Sequence, residues 1–158
     1  MSGMSEHTAV VEWRRVAGEA FVDNRYSRRH AVTYDAGVTV ALSASPHVVP
    51  VPYSDPSAVD PEELFVTSLA SCHMLCFLYL AAKAGYLVDS YRDAASGILG
   101  RNAAGAAAIT VVTLRPHCEF SGAPQPSPAE LAALHDQAHH DCFLASSVHS
   151  EIRIEPAL

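Results

Sequence analysis

The sequence predicts an α+β fold with a mostly antiparallel sheet. Three observations lead to it. Short segments with strand-like alternation lie at both ends of the chain. A long apolar helix with a strong start signal stands between them. A second capped helix precedes one last short strand.

The first strand is predicted over residues 8–14, where Val10, Val11 and Trp13 are the apolar positions. Two more follow over 29–34 and 38–43, joined by a turn at Asp35-Ala36-Gly37. Residues 46–56 are rich in proline and read as a loop, from which Tyr53 and the valines pack on the core or line a pocket. Asp60-Pro61-Glu62-Glu63 is a helix start: Asp60 caps, Pro61 suits the first turn, and Glu63 completes a capping box. This helix is expected to run to about residue 84 and stop at Gly85. Residues 91–100 and 107–120 alternate as strands, with a turn around Gly105. Ser127-Pro128-Ala129-Glu130 repeats the helix-start chemistry, and the second helix runs through Leu131, Leu134 and Ala138 to about residue 140. Residues 148–155 close the chain as a strand. With no repeat and no long linker, the 158 residues are expected to form a single domain.

The bulk properties exclude several functions. A composition that is 49% hydrophobic and 17% charged is not that of a disordered chain. A net charge of −7 argues against nucleic-acid binding, which needs a basic face. Four cysteines without a recognisable leader point to a reducing, cytoplasmic setting. The central helix is interrupted by Ser68, Ser71, Cys72, His73 and Lys83, so a buried helix is expected and no membrane association. It is apolar almost all round between Leu64 and Ala84, which a short chain cannot cover alone. A partner chain is therefore expected.

The chemistry-bearing residues are cysteines. Cys72 lies within the apolar helix and Cys142 lies past the second helix, and neither is in a CxxC or zinc-ribbon arrangement. A distant pair of this kind suits one thiol that attacks a substrate and a second that resolves it. Cys76 follows Cys72 by one turn on the same face and could compete as the second thiol, but its place in the apolar run favours core packing, and Cys118 in its strand reads as structural. His135, His139 and His140 near Cys142 have metal-like spacing, but the sequence fixes no further ligand. No metal site is assigned. His73 either tunes the site or is a buried, hydrogen-bonded histidine.

Asp60-Pro-Glu-Glu-Leu-Phe with Ala70-Ser-Cys72 resembles the helix motif of the OsmC/Ohr family of organic hydroperoxide reductases. Cys142 with Ser146, Ser147 and Val148 is similar to the family's second-cysteine region, and Tyr26-Ser-Arg28-Arg-His30 ahead of Asp35-Ala-Gly37 is similar to its arginine-bearing hairpin. The order agrees from about Trp13 to Ile154. The resemblance implies an OsmC-like fold in which antiparallel sheets wrap long central helices in an intertwined homodimer. It implies thiol-dependent reduction of an organic hydroperoxide without a cofactor, and reduction of the resulting disulfide by a dithiol such as a lipoylated protein.

The resemblance also assigns roles. Cys72 is the attacking thiol and Cys142 the resolving one. Cys72 is too far inside its helix for the dipole to activate it. That leaves a guanidinium, with Arg28 the choice and Arg25 and Arg29 the alternates. Glu62 would hold the arginine. It precedes Cys72 by ten residues, about 15 Å along one helix, so the arginine must bridge that gap or the glutamate must come from the other chain. Tyr53, Phe65, His73 and Phe143 are the candidate substrate-binding residues. Phe143 stands where the family's peroxidases often carry proline. The second function class is a non-enzymatic dimer that senses redox state or binds a small apolar ligand.

Overall fold

A computed structural model describes residues 3–156, which fall into two compact units divided between Leu64 and Phe65. The chain is α+β, as the sequence predicts.

In the first unit, β1 (Ala9–Glu12), β2 (His30–Tyr34) and β3 (Thr39–Leu42) form an antiparallel meander in which Val11 lies opposite Val32 and Val32 opposite Val40. The β2–β3 turn places Gly37 at φ 79°, a conformation that disfavours side chains, and the Tyr34 carbonyl accepts the Gly37 N–H at 2.9 Å. Val32 and Leu42 are buried. Between β1 and β2, Trp13, Phe21 and Tyr26 pack their rings at centroid separations of 4.6–5.7 Å. The Trp13 indole N–H donates to the Ser27 carbonyl at 2.8 Å, which satisfies its polar edge. The proline-rich loop is tied back by Ser43: its N–H donates to the Val59 carbonyl and its hydroxyl accepts from the Asp55 N–H.

α1 (Pro61–Lys83) begins with the expected capping box. The Glu63 N–H donates to Asp60 Oδ1 at 2.7 Å, and the Asp60 N–H donates to Glu63 Oε2 at 3.0 Å. Gly85, at φ 83°, ends it, and the Tyr86 N–H reaches back to the Ala81 carbonyl.

In the second unit α1 buries one i+4 stripe, Leu69, His73, Phe77 and Ala81. Leu69 packs with Val112 and Leu114, while Phe77 and Ala81 pack with Ala138. The two apolar clusters meet α1 on either side of His73. β5 (Ser96–Arg101), β6 (Ala107–Leu114) and β8 (Glu151–Ile154) form one sheet, and β4 (Leu87–Asp93) pairs with β7 (Pro116–Ser121). α2 (Pro128–Asp141) carries the full capping box of Ser127 and Glu130.

Two departures from the sequence expectation change the topology. The strands expected over 91–100 and 107–120 are each broken, at 94–95 and at Arg115, so one long hairpin bends into two sheets. Asp93 Oδ1 accepts the Arg115 N–H at 2.6 Å, and the Arg115 guanidinium donates to the Ala94 carbonyl and the Ser96 hydroxyl, which pins the corner. The other departure is β8, which is shorter than expected and runs parallel to β6.

Candidate functional site

The site is built where α1 and the end of α2 bring thiols and imidazoles together. Cys72 lies midway along α1 and is half-buried. Cys142 is the C-cap of α2 and is 1% exposed. Its extended backbone (φ −71°, ψ 111°) turns the chain out of the helix. Its sulfur accepts the Ala145 N–H at 3.4 Å. Burial first, and then interaction with the Cys72 thiol, push Cys142 up to about 11, against the opposing Ala145 N–H. Sequence spacing alone could not show that residues 70 apart are neighbours. Cys76 is also pushed up, by burial and then by the same Cys72 thiol. Cys76 lies one helical turn beyond Cys72 on α1. Cys118 lies on β7 opposite Tyr91 and is pushed up to about 11, chiefly by burial.

The neighbouring polar group is a pair of imidazoles. His73 Nε2 and His135 Nδ1 are 3.1 Å apart, with the rings nearly parallel at 9°. His135 in turn stacks on Phe77 with a centroid separation of 4.3 Å. The rings are 1% and 2% exposed, and their outer nitrogens, His73 Nδ1 and His135 Nε2, have no partner. Burial, then the charges of His135 and His139, lower His73 to about 4; burial lowers His135 to about 4 against the opposing effect of Asp136. His135 thus faces His73 rather than joining His139 and His140 in a ligand set. His140 is exposed beside Asp141. Among the described residues no group of three or more His, Cys, Asp or Glu is placed to hold a metal ion. The signal for this pair was present in the sequence: His73 is in register with Leu69, Phe77 and Ala81, and His135 with Leu131, Ala138 and Cys142.

Beside the thiols, Leu75, Cys76, Tyr79, Leu80 and Phe143 line an apolar groove of about 660 Å³, with His140, Asp141 and Ser146 at its polar margin. Phe143 is 82% exposed and Phe65 packs on the Leu69 cluster. A smaller gap, with no room for a water, is lined by Leu69, His73, Leu114, His139, Cys142, Ala145 and Ile152.

In the first unit each candidate arginine has local partners. Arg28 Nη1 donates to the Asn24 and Tyr26 carbonyls, and its guanidinium lies 3.8 Å from the Tyr26 ring centroid. Arg25 Nε donates to the Tyr53 hydroxyl at 2.8 Å, and Arg29 is paired with Asp55. The Tyr53 carbonyl accepts the Arg28 N–H at 2.8 Å. Glu62, in the first turn of α1, has a buried Oε2 without a partner.

Residues 54–157 match the family model described as OsmC-like protein. The fold is shared with an OsmC-like protein of unknown function from Vibrio cholerae O1 biovar eltor, at 52% identity and TM-score 0.96 over 98% of this chain and 100% of that one. It is also shared with an organic hydroperoxide resistance protein OsmC from Legionella pneumophila (15% identity, TM-score 0.71, 99% and 100% covered). A third likeness is the organic hydroperoxide resistance protein OhrB of Bacillus subtilis (19% identity, TM-score 0.66, 95% and 98% covered). None of the curated proteins matches the chain.

Proposed function

Because this chain belongs to the OsmC-like protein family, we propose that it reduces organic hydroperoxides with Cys72 as the attacking thiol and Cys142 as the resolving thiol. The observation that supports this reading is that Cys142, buried at the end of α2, lines one gap with His73, the residue next to Cys72 on α1. The Cys72 sulfur attacks the peroxide's terminal oxygen, the O–O bond breaks, and the alcohol leaves with a proton while Cys72 becomes a sulfenic acid. Cys142 then displaces hydroxide from that sulfur to give the disulfide and water. A dithiol, such as a lipoylated protein, returns both thiols by exchange. The relatives named for organic hydroperoxide resistance share the fold and support the substrate class.

Arg28, held by Asn24 and Tyr26, is the cation assigned to Cys72, with Arg25 and Arg29 as alternates and Glu62 as its anchor. Tyr53, Phe65, His73 and Phe143 form the substrate side of the reading. The chain acts as one OsmC-like domain in a homodimer, in the reducing cytoplasm, where its four cysteines stay free. The apolar groove beside Cys76 favours a second reading, a redox-sensing dimer that binds a small apolar ligand.

Turnover of cumene hydroperoxide with a dithiol reductant separates the two. Peroxidase chemistry predicts steady consumption by the wild type, none by Cys72→Ser, and a single oxidation by Cys142→Ser. Mass spectrometry of the oxidised wild type then shows a Cys72–Cys142 disulfide. A Cys72–Cys76 bond, or full turnover by Cys142→Ser, reassigns the resolving thiol. Ligand binding without turnover leaves the sensor reading.

A further inference from the structure

We propose that His73 is the proton acceptor for Cys142 when that thiol closes the disulfide, and that His135 holds the His73 ring in the tautomer this requires. The inference rests on the assignment of Cys72 and Cys142 above and adds a residue that the cysteine roles do not supply.

Cys142 must attack as a thiolate, yet burial and the neighbouring Cys72 thiol push it up to about 11. At pH 7 only about one such thiol in ten thousand is ionised. The Ala145 N–H helps the thiolate but cannot take a proton. No water fits the gap between Cys142 and its surroundings. A protein group lining the gap can carry the proton from Cys142 toward the hydroxide that leaves Cys72.

His73 is the buried base that the packing brings to this gap. It lines the same gap as Cys142, and it follows Cys72 directly on α1. Its Nε2 is committed to His135, which leaves Nδ1, buried and without a partner, as the ring atom that can accept. For Nδ1 to accept, the ring proton must sit on Nε2 and be donated to His135 Nδ1. The His135 proton then lies on its outer Nε2. The parallel rings and the Phe77 face behind His135 hold the two imidazoles in place for this hydrogen bond. The same hydrogen bond ties α1, which carries Cys72, to α2, which ends at Cys142.

The step balances. The Cys142 sulfur pair forms the S–S bond, the S–O bond of the Cys72 sulfenic acid breaks, and hydroxide leaves. The Cys142 proton passes to His73 Nδ1 and from there to the hydroxide, so water is the product and His73 ends neutral. Because both rings are weak bases in this setting, lowered to about 4, the proton moves as the S–S bond forms rather than before it. The other groups facing the pair are His139 and Asp136 on α2. His139 also lines the gap but is only half-buried.

Closure can be read without peroxide. In a Cys76→Ser, Cys118→Ser background, 5,5′-dithiobis(2-nitrobenzoate) caps Cys72, and attack by Cys142 releases a second thionitrobenzoate that is followed by absorbance. His73→Gln keeps an amide donor near the Nε2 position but has no acceptor in place of Nδ1. The expected result is closure slower by about tenfold or more near pH 7, with the deficit shrinking as pH rises and Cys142 ionises without help. His135→Asn offers an acceptor to His73 Nε2, so any fall in its rate should be the same at every pH. Equal closure rates in His73→Gln and the parent, with unchanged circular dichroism, overturn the inference. So does a His73→Gln deficit that is the same at every pH, which marks a purely structural pair. Cumene hydroperoxide turnover is measured on the same proteins. Normal closure without turnover counts against the peroxidase reading alone, and turnover with unimpaired His73→Gln closure counts against the proton acceptor alone.

Discussion

His73 and His135 face each other Nε2 to Nδ1 across 3.1 Å between α1 and α2. One ring must donate and the other accept, so the intact pair holds at most one extra proton. Two imidazolium rings would set donor against donor and charge against charge in a buried site.

This makes stability depend on pH in a defined window. Both histidines are lowered from 6.5 to about 4 in the folded protein, chiefly by burial. Between those values the unfolded chain binds protons that the folded chain does not, so stability falls as pH drops from about 6.5 to about 4 and is level above that range. Each histidine contributes a slope of at most about 1.4 kcal/mol per pH unit. Urea midpoints measured across the window should fall with acid in the wild type, and less steeply in His73→Leu/His135→Leu. Identical slopes in the two proteins would mean that the pair takes up its protons without opening.

The second prediction concerns the exposed side of α1. Leu75 and Tyr79 are 61% and 67% exposed, and with Phe143 they line one apolar groove. An apolar surface of this kind is one that a second copy of the chain would cover if the protein dimerises through α1. The wild type should sediment as a dimer at micromolar concentration, and Leu75→Glu should shift it to monomer by burying an unpaired carboxylate in the contact. A folded wild-type monomer at that concentration would remove the dimer from the reading.

The helix starts were legible because their chemistry is local: Asp60 with Glu63, and Ser127 with Glu130, each lie three residues apart and need no tertiary context. The corner at Arg115 was not, since it depends on Asp93 and Ser96, which are about twenty residues away in sequence. The parallel pairing of β8 with β6 is non-local in the same way. At the site, the two cysteines stood out as residue types, and their proximity emerged only from the packing of α2 on α1. His135 illustrates the ambiguity of spacing. The i+4 relation to His139 reads as a ligand pair, while the apolar register with Leu131 and Ala138 turns the ring inward to His73. The choice among Arg25, Arg28 and Arg29 is not local either, because each has found a different partner.

A third prediction tests the packing of α1 on β5. A Cβ placed on Gly97 would lie 2.6 Å from Val66 Cγ2 and 3.3 Å from Ile109 Cγ2. A helical valine has essentially one rotamer, so the backbone must yield. Gly97→Ala should cost about 1–3 kcal/mol despite the better strand propensity of alanine. Gly100→Ala, whose nearest neighbour is Thr110 Oγ1 at 3.3 Å, serves as the milder control. Thermal unfolding of both variants reads the difference, and a Gly97→Ala protein as stable as the control would show that α1 and β5 do not pack this closely.

The last prediction concerns Arg28. Its guanidinium is oriented by two backbone carbonyls, Asn24 and Tyr26, and lies over the Tyr26 ring. Those contacts neutralise no charge, so Arg28 keeps a full positive charge to offer a thiolate. Arg29 spends its charge on Asp55, and Arg25 is bound to the Tyr53 hydroxyl. If Arg28 serves Cys72, Arg28→Ala should slow alkylation by iodoacetamide near neutral pH by about tenfold or more, the usual effect of losing a neighbouring cation on thiolate supply. Peroxide reduction should fall by at least as much, because orientation of the peroxide oxygens is lost as well. Arg28→Lys should restore little, since a single ammonium cannot donate to both carbonyls while stacking on Tyr26. Arg25→Ala and Arg29→Ala should change either rate far less. A shifted alkylation profile in one of those two, with Arg28→Ala unchanged, would move the role to that residue. No change in any of the three would remove arginine activation from the mechanism and favour the redox-sensing reading.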